Sequence, residues 1–274
     1  QLTTLEAMLE VALNHQRSGR YPEAERACGE ILAVAPYHAD ALHLLGMIRY
    51  LQNDLVLAER LMRRSLELRG DVANYHSNLA EVHRATGRFA EAIAECDRAL
   101  SLDPKFAGAL LNKGLALRNA GEIERAVACF RSALAINPDF DAARRALAHD
   151  LASGGHKDEA LIHTREIEKR AGENAEAWQN LGNLWKTLGE ALPAIRAFRR
   201  SIELKKSAEA MNDYGVLLQL VGDVLGAAHW LQQAIAAAPE IAHQHSNLGN
   251  VLRDLGDWPG AIAGYRRALE LKPD

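Results

Sequence analysis

Eleven histidines and three cysteines are the residues of this 274-residue chain that invite metal or redox chemistry. His149, His156 and His163 step by seven, but Gly154 and Gly155 break the helix between the first two. His76 and His83 lie two turns apart on one helix, too far for a shared ion, and His243 and His245 face different ways. None of these sets has the His-x-x-x-His or paired-cysteine spacing of a zinc site, so no metal is expected. Cys28, Cys96 and Cys129 are too few and too odd in number for a disulfide framework. Each falls at a helical position expected to be buried, which makes them small core side chains. Gly154-Gly155 lacks the lysine and hydroxyl of a phosphate-cradling loop, and no G-x-S-x-G elbow is present. No catalytic residue and no cofactor is therefore expected. The side chains that do recur in step are amides: Asn78, Asn112, Asn180 and Asn247 are separated by 34 residues or close to its double. An amide offers a donor and an acceptor together, the pair needed to bond a peptide main chain.

The elements that carry these amides follow from the period. Gly19, Asn53, Gly87, Gly121, Gly155 and Gly189 are 34 apart, Gly222 comes one residue early, and Gly256 resumes the step. Asparagine replaces glycine at position 53 because it tolerates a left-handed backbone. Five residues after each comes a small one: Ala24, Ala58, Ala92, Ala126, Ala160, Ala194, Ala227 and Ala261. Many units close on a proline: Pro36, Pro104, Pro138, Pro239 and Pro273. Gly70, Gly172 and Lys206 hold that place elsewhere. Within a unit, apolar residues fall three and four apart, the signature of an amphipathic helix. Glycine then supplies the turn between two helices, alanine lets them approach, and proline stops the second. Pro22, Pro193 and Pro259 fall near the start of second helices, where proline is tolerated.

The unit Trp178, Leu181, Gly182, Trp185, Ala194, Phe198 follows the tetratricopeptide pattern W-x2-L-G-x2-Y…A-x3-F, and Leu45-Gly46, Leu79-Ala80 and Leu248-Gly249 match it more loosely. The chain thus resembles a tetratricopeptide repeat protein along essentially its whole length. That resemblance implies an all-α fold, a right-handed superhelical solenoid of about eight helix-turn-helix hairpins. The expected organisation is one array over residues 1–274, with repeats at 5–38, 39–72, 73–106, 107–140, 141–174, 175–207, 208–241 and 242–274. The fifth repeat has Arg144, Lys157 and Thr164 where large apolar residues are usual. Family drift with packed aliphatic stems is one account, and a soft joint between two halves is the other.

In such arrays the first helix of each pair lines a concave surface, so the resemblance makes inward first-helix residues the candidate contacts. Asn78, Asn112, Asn180 and Asn247, with Asp213 in the seventh unit, form the first layer. They either hydrogen-bond an extended partner peptide or tie adjacent hairpins together. One turn later stand Asn183 and Asn250, and a candidate positive stripe of Arg84, Arg118, Lys186 and Arg253 suited to an acidic peptide or a terminal carboxylate. A merely solvated face is the other reading of that stripe. The stretch from His38 to Gly46 is similar to arrays that precede catalytic domains in bacterial transferases of the O-GlcNAc-transferase kind, which also carry an inward asparagine ladder. Two functions are thereby expected: a non-catalytic scaffold for a protein partner in extended conformation, or the substrate-recruiting part of a larger glycosyltransferase. The close at Pro273-Asp274, with no polar capping helix, fits the second, and also suggests self-association through the last repeat.

Bulk properties exclude other classes. Thirty-two basic and 36 acidic residues give a net charge of −4, interspersed in sign, without the basic stripe nucleic acid requires. No apolar run approaches the ~18 residues of a membrane span, and no signal peptide is visible, which leaves the cytoplasm as the default compartment.

Overall fold

The computed structural model describes residues 4–273. Residues 1–3 and 274 of the expected array lie outside the described residues. Among those described there are sixteen α-helices and no strand. They pair in chain order: α1 (Thr4–Arg17) with α2 (Tyr21–Val34), α3 (Ala39–Leu51) with α4 (Leu55–Leu68), α5 (Ala73–Ala85) with α6 (Phe89–Leu102), and α7 (Ala107–Asn119) with α8 (Ile123–Ile136). The second half runs α9 (Asp141–Ser153), α10 (Lys157–Arg170), α11 (Ala175–Thr187), α12 (Ala191–Leu204), α13 (Ala208–Leu220), α14 (Val224–Ala237), α15 (Ala242–Asp254) and α16 (Trp258–Leu271). The chain divides into two compact units, residues 1–146 and 147–274, and the division falls inside α9.

Each hairpin turn is built on one left-handed residue. Asn53, at φ 64°, takes the place that glycine holds in the other hairpins. The alanine five positions on is what brings the two helices together. Seven of these alanines have no exposed surface and Ala261 has 2%, so the position has no room for a larger group. Opposite it the first helix also needs a minimal side chain. A Cβ at Gly182 would lie 2.7 Å from the Phe198 ring, and one at Gly46 would lie 2.8 Å from Met62. Large side chains of the second helix therefore fill notches in the first.

Successive hairpins share cores within each unit. Ala58 and Met62 of α4 cluster with Leu79 and Val82 of α5. In the second unit Phe198 of α12, Tyr214 of α13 and Trp230 of α14 pack in sequence, with ring centroids 6.4 Å and 5.5 Å apart. Helix starts are capped where the sequence offers an acceptor: Asp54, Asn174, Ser207, Asp223 and Asp257 each take a backbone N–H three residues on. Pro22 and Pro259 occupy the first turns of α2 and α16. In the fifth repeat Thr164 is fully buried, with its hydroxyl donated to the Ala160 carbonyl at 2.7 Å. Arg144 donates to the Pro138 carbonyl, and Lys157 pairs with Glu190 at 2.9 Å.

Candidate functional site

The asparagine register proves to be a chain of contacts between hairpins. Asn78 Nδ2 lies 2.9 Å from His43 Nε2. Asn112 Nδ2 donates to both the carbonyl and the hydroxyl of Ser77, at 3.2 and 3.1 Å. Asn247 Nδ2 donates to Asn212 Oδ1 at 2.9 Å. In all three the partner is 35 residues back, one place before the same register in the preceding hairpin. Asp213 fits the same scheme from the acceptor side, taking N–H groups from Gln179 at 3.4 Å and Asn183 at 3.1 Å. His43, Ser77 and Asn212 are buried. Sequence reasoning passed over them, and their signal is a polar residue directly before the ladder position.

These bonds separate the candidates. Asn112 is buried, and its amide is spent on Ser77 and on Glu81, so it is removed from any exposed face. Asn78 and Asn247 are half-buried and commit one N–H each, leaving a second N–H and, for Asn247, the carbonyl. Asn180 is exposed. Asn250 accepts the Tyr265 hydroxyl at 2.8 Å, which ties it to α16.

The cations are likewise not one stripe. Arg118 reaches the Ala146 carbonyl at 2.9 Å and stacks 5.1 Å from the centre of the Phe130 ring, a bracing role within the first unit. Arg84 stands beside Glu81 and Tyr50; burial pushes the Glu81 carboxyl up, and the Arg84 charge and an Asn112 N–H pull it down. Arg253 is exposed and pairs with Asp254 at 3.0 Å, while Asp254 also accepts from Gln219 at 2.6 Å. Lys186 is half-exposed near the end of α11, six residues on from Asn180.

The repeat models that match the chain are all described as tetratricopeptide repeats, over residues 3–70, 57–107, 78–141, 111–175, 175–207 and 242–274. The chain belongs to the tetratricopeptide repeat family. Human Superkiller complex protein 3 is 23% identical over 273 residues, which cover 96% of this chain and 17% of that protein. Human Protein O-mannosyl-transferase TMTC1 is 31% identical over 205 residues, 72% of this chain and 23% of that protein. The chain thus spans less than a quarter of the length of either relative. Among solved structures, the APC/C hetero-tetramer Cut9–Hcn1 aligns with a TM-score of 0.69 at 16% identity, over 98% of this chain and 53% of that one.

Within this tetratricopeptide array burial holds the thiols in their protonated form. Burial raises Cys28 to about 11 and Cys96 to about 12. Cys129 departs from the expectation of a core position: it is only half-buried, and burial still raises its thiol. Among the described residues no three His, Cys, Asp or Glu side chains converge to hold a metal, and no helix is long and apolar enough to cross a membrane.

Proposed function

We propose that this tetratricopeptide array is a scaffold that holds an extended segment of a partner protein on the face lined by first helices, concave in such solenoids. The observation that carries the reading is the exposed amide-rich surface of α11, where Asn180 stands in register with the half-free amides of Asn78 in the first unit and Asn247 in the second. The bonds to the preceding hairpin restrain Asn78 and Asn247. Such preorganisation lowers the entropic cost of binding a peptide main chain. Asn183, Asp213 and Lys186 flank Asn180 and would set preference among side chains. In the Cut9–Hcn1 hetero-tetramer an array of this fold sits inside a protein complex, which favours a protein partner here as well. Selection from a random dodecapeptide library against the 274-residue chain tests the proposal. Binders should lose about tenfold in affinity when Asn180 and Lys186 become alanine, and little when Arg200 on α12 does. Binders indifferent to the first pair would overturn it.

A second reading has its own support in the match to TMTC1, named as a transferase. In that case the array recruits substrate for a catalytic domain elsewhere in a longer protein, as the O-GlcNAc-transferase-like opening stretch suggested. A reading frame that continues into a glycosyltransferase domain would establish it; one that does not would remove it.

A further inference from the structure

The turns of the last two hairpins carry an apolar surface that the first-helix reading does not use. Leu220 and Leu225 flank the seventh turn with 73% and 74% of their surface exposed, and Val221 between them is 44% exposed. On the next turn Leu255 is 41% and Trp258 62% exposed. The bond of 2.6 Å from Gln219 to Asp254 ties the residues next to Leu220 and Leu255 together, so the two turns form one surface. Most other hairpins hold a polar or small residue at the place of Leu220 (Arg17, Ala85, Asn119, Ser153, Thr187 and Asp254), with Leu51 as the second leucine there. Single exposed apolar side chains are ordinary, whereas a contiguous group marks a binding surface.

Charge selects the partner. Asp223 and Asp257 cap α14 and α16 on these turns, and Asp254, bonded to Gln219 of the neighbouring hairpin, pairs with Arg253, the one nearby cation in the sequence. Capping does not remove the carboxylate charge. We infer that this turn surface docks a short amphipathic segment of a partner protein, with aliphatic anchors flanked by lysine or arginine. The aliphatic side chains would cover Leu220, Leu225 and Trp258, and the cations would meet the three aspartates at the rim.

The test uses the full chain and two synthetic 18-residue amphipathic helices, one of leucine and lysine and one of leucine and glutamate. Trp258 reports docking through the emission difference between the wild-type chain and Trp258→Phe. The lysine peptide should blue-shift that signal and the glutamate peptide should not. Asp223→Asn, Asp254→Asn and Asp257→Asn together preserve the caps, since asparagine caps as well as aspartate. They should weaken the lysine peptide about tenfold and flatten its salt dependence. Leu220→Ser with Leu225→Ser should weaken it comparably, and unchanged helical circular dichroism would show that both variants fold. Equal response to the two peptides, or a triple aspartate variant that binds as tightly as wild type, would overturn the inference. So would concentration-dependent dimerisation abolished by the leucine variant, because a second copy would then be the occupant.

Discussion

His43 lies flat against Tyr75, with ring centroids 3.8 Å apart, and its Nε2 faces the Asn78 amide. Burial lowers its imidazole from 6.5 to about 4, against the opposing charge of Asp40. The neutral ring is thus the folded form at pH 7, accepting from Asn78. A depressed imidazole binds fewer protons folded than unfolded between these values, so stability falls as pH drops from 6.5 to 4. The share of His43 is of the order of 3 kcal/mol. His43→Phe keeps the stack and abolishes the titration, and should flatten the fall in melting temperature between about pH 7 and 4.5, leaving the share of His83, which burial also lowers, and the opposite-signed share of Glu81, whose carboxyl burial raises. Glu59 does not blur this window. Its carboxyl, clamped by Arg88, is held near 2, so its contribution is present above 4.5 and lost only as pH falls towards 2. Gln244 is a second residue with a clear energetic sign. It is fully buried, and neither amide atom has a partner, at the place where other hairpins put Ala41, Ala109 or Ala210. Gln244→Met keeps the volume and removes both orphans, and should raise the urea midpoint by an amount equal to about 1–3 kcal/mol. A lower midpoint would show the amide to be satisfied in solution.

At the scale of the helix pair, stability depends on close approach. Gly182→Ala would press a methyl group on Phe198, whose ring is itself fully buried, and neither can move without opening the hairpin. The expected loss is about 1–3 kcal/mol with an unchanged urea slope. The helix pairs were legible in the sequence for this same reason. Steric limits allow only glycine or asparagine at the turn and only small residues at its neighbour, so the constraint recurs with every repeat. The bonds between hairpins were less legible. A ladder asparagine announces itself, but its partner one hairpin earlier is His43, Ser77 or Asn212, chosen for hydrogen bonding and not for shape. The sequence therefore held two roles open for Asn112, and only the folded chain shows its amide turned to Ser77 and Glu81. Arg118 misled for a related reason: its register matches Arg84, yet a carbonyl and a phenyl ring lie within its reach.

For the whole molecule, the relevant fact is that each unit offers its own first-helix face, and the two faces differ. In the first unit Asn112 is buried and Arg118 reaches the Ala146 carbonyl, while in the second Asn180 is exposed, Lys186 is half-exposed, and Asn183 and Asp213 bond each other across neighbouring hairpins. The proposed grip on a peptide would centre on the exposed Asn180 of α11 and extend to α13 and α15. Hydrogen exchange on the chain with and without a saturating library-selected peptide tests this most directly. The account predicts added protection at the exchanging ends and exposed flanks of α11, α13 and α15, with α12, α14 and α16 unchanged. Protection confined to the second helices, or spread evenly over all six, would contradict it.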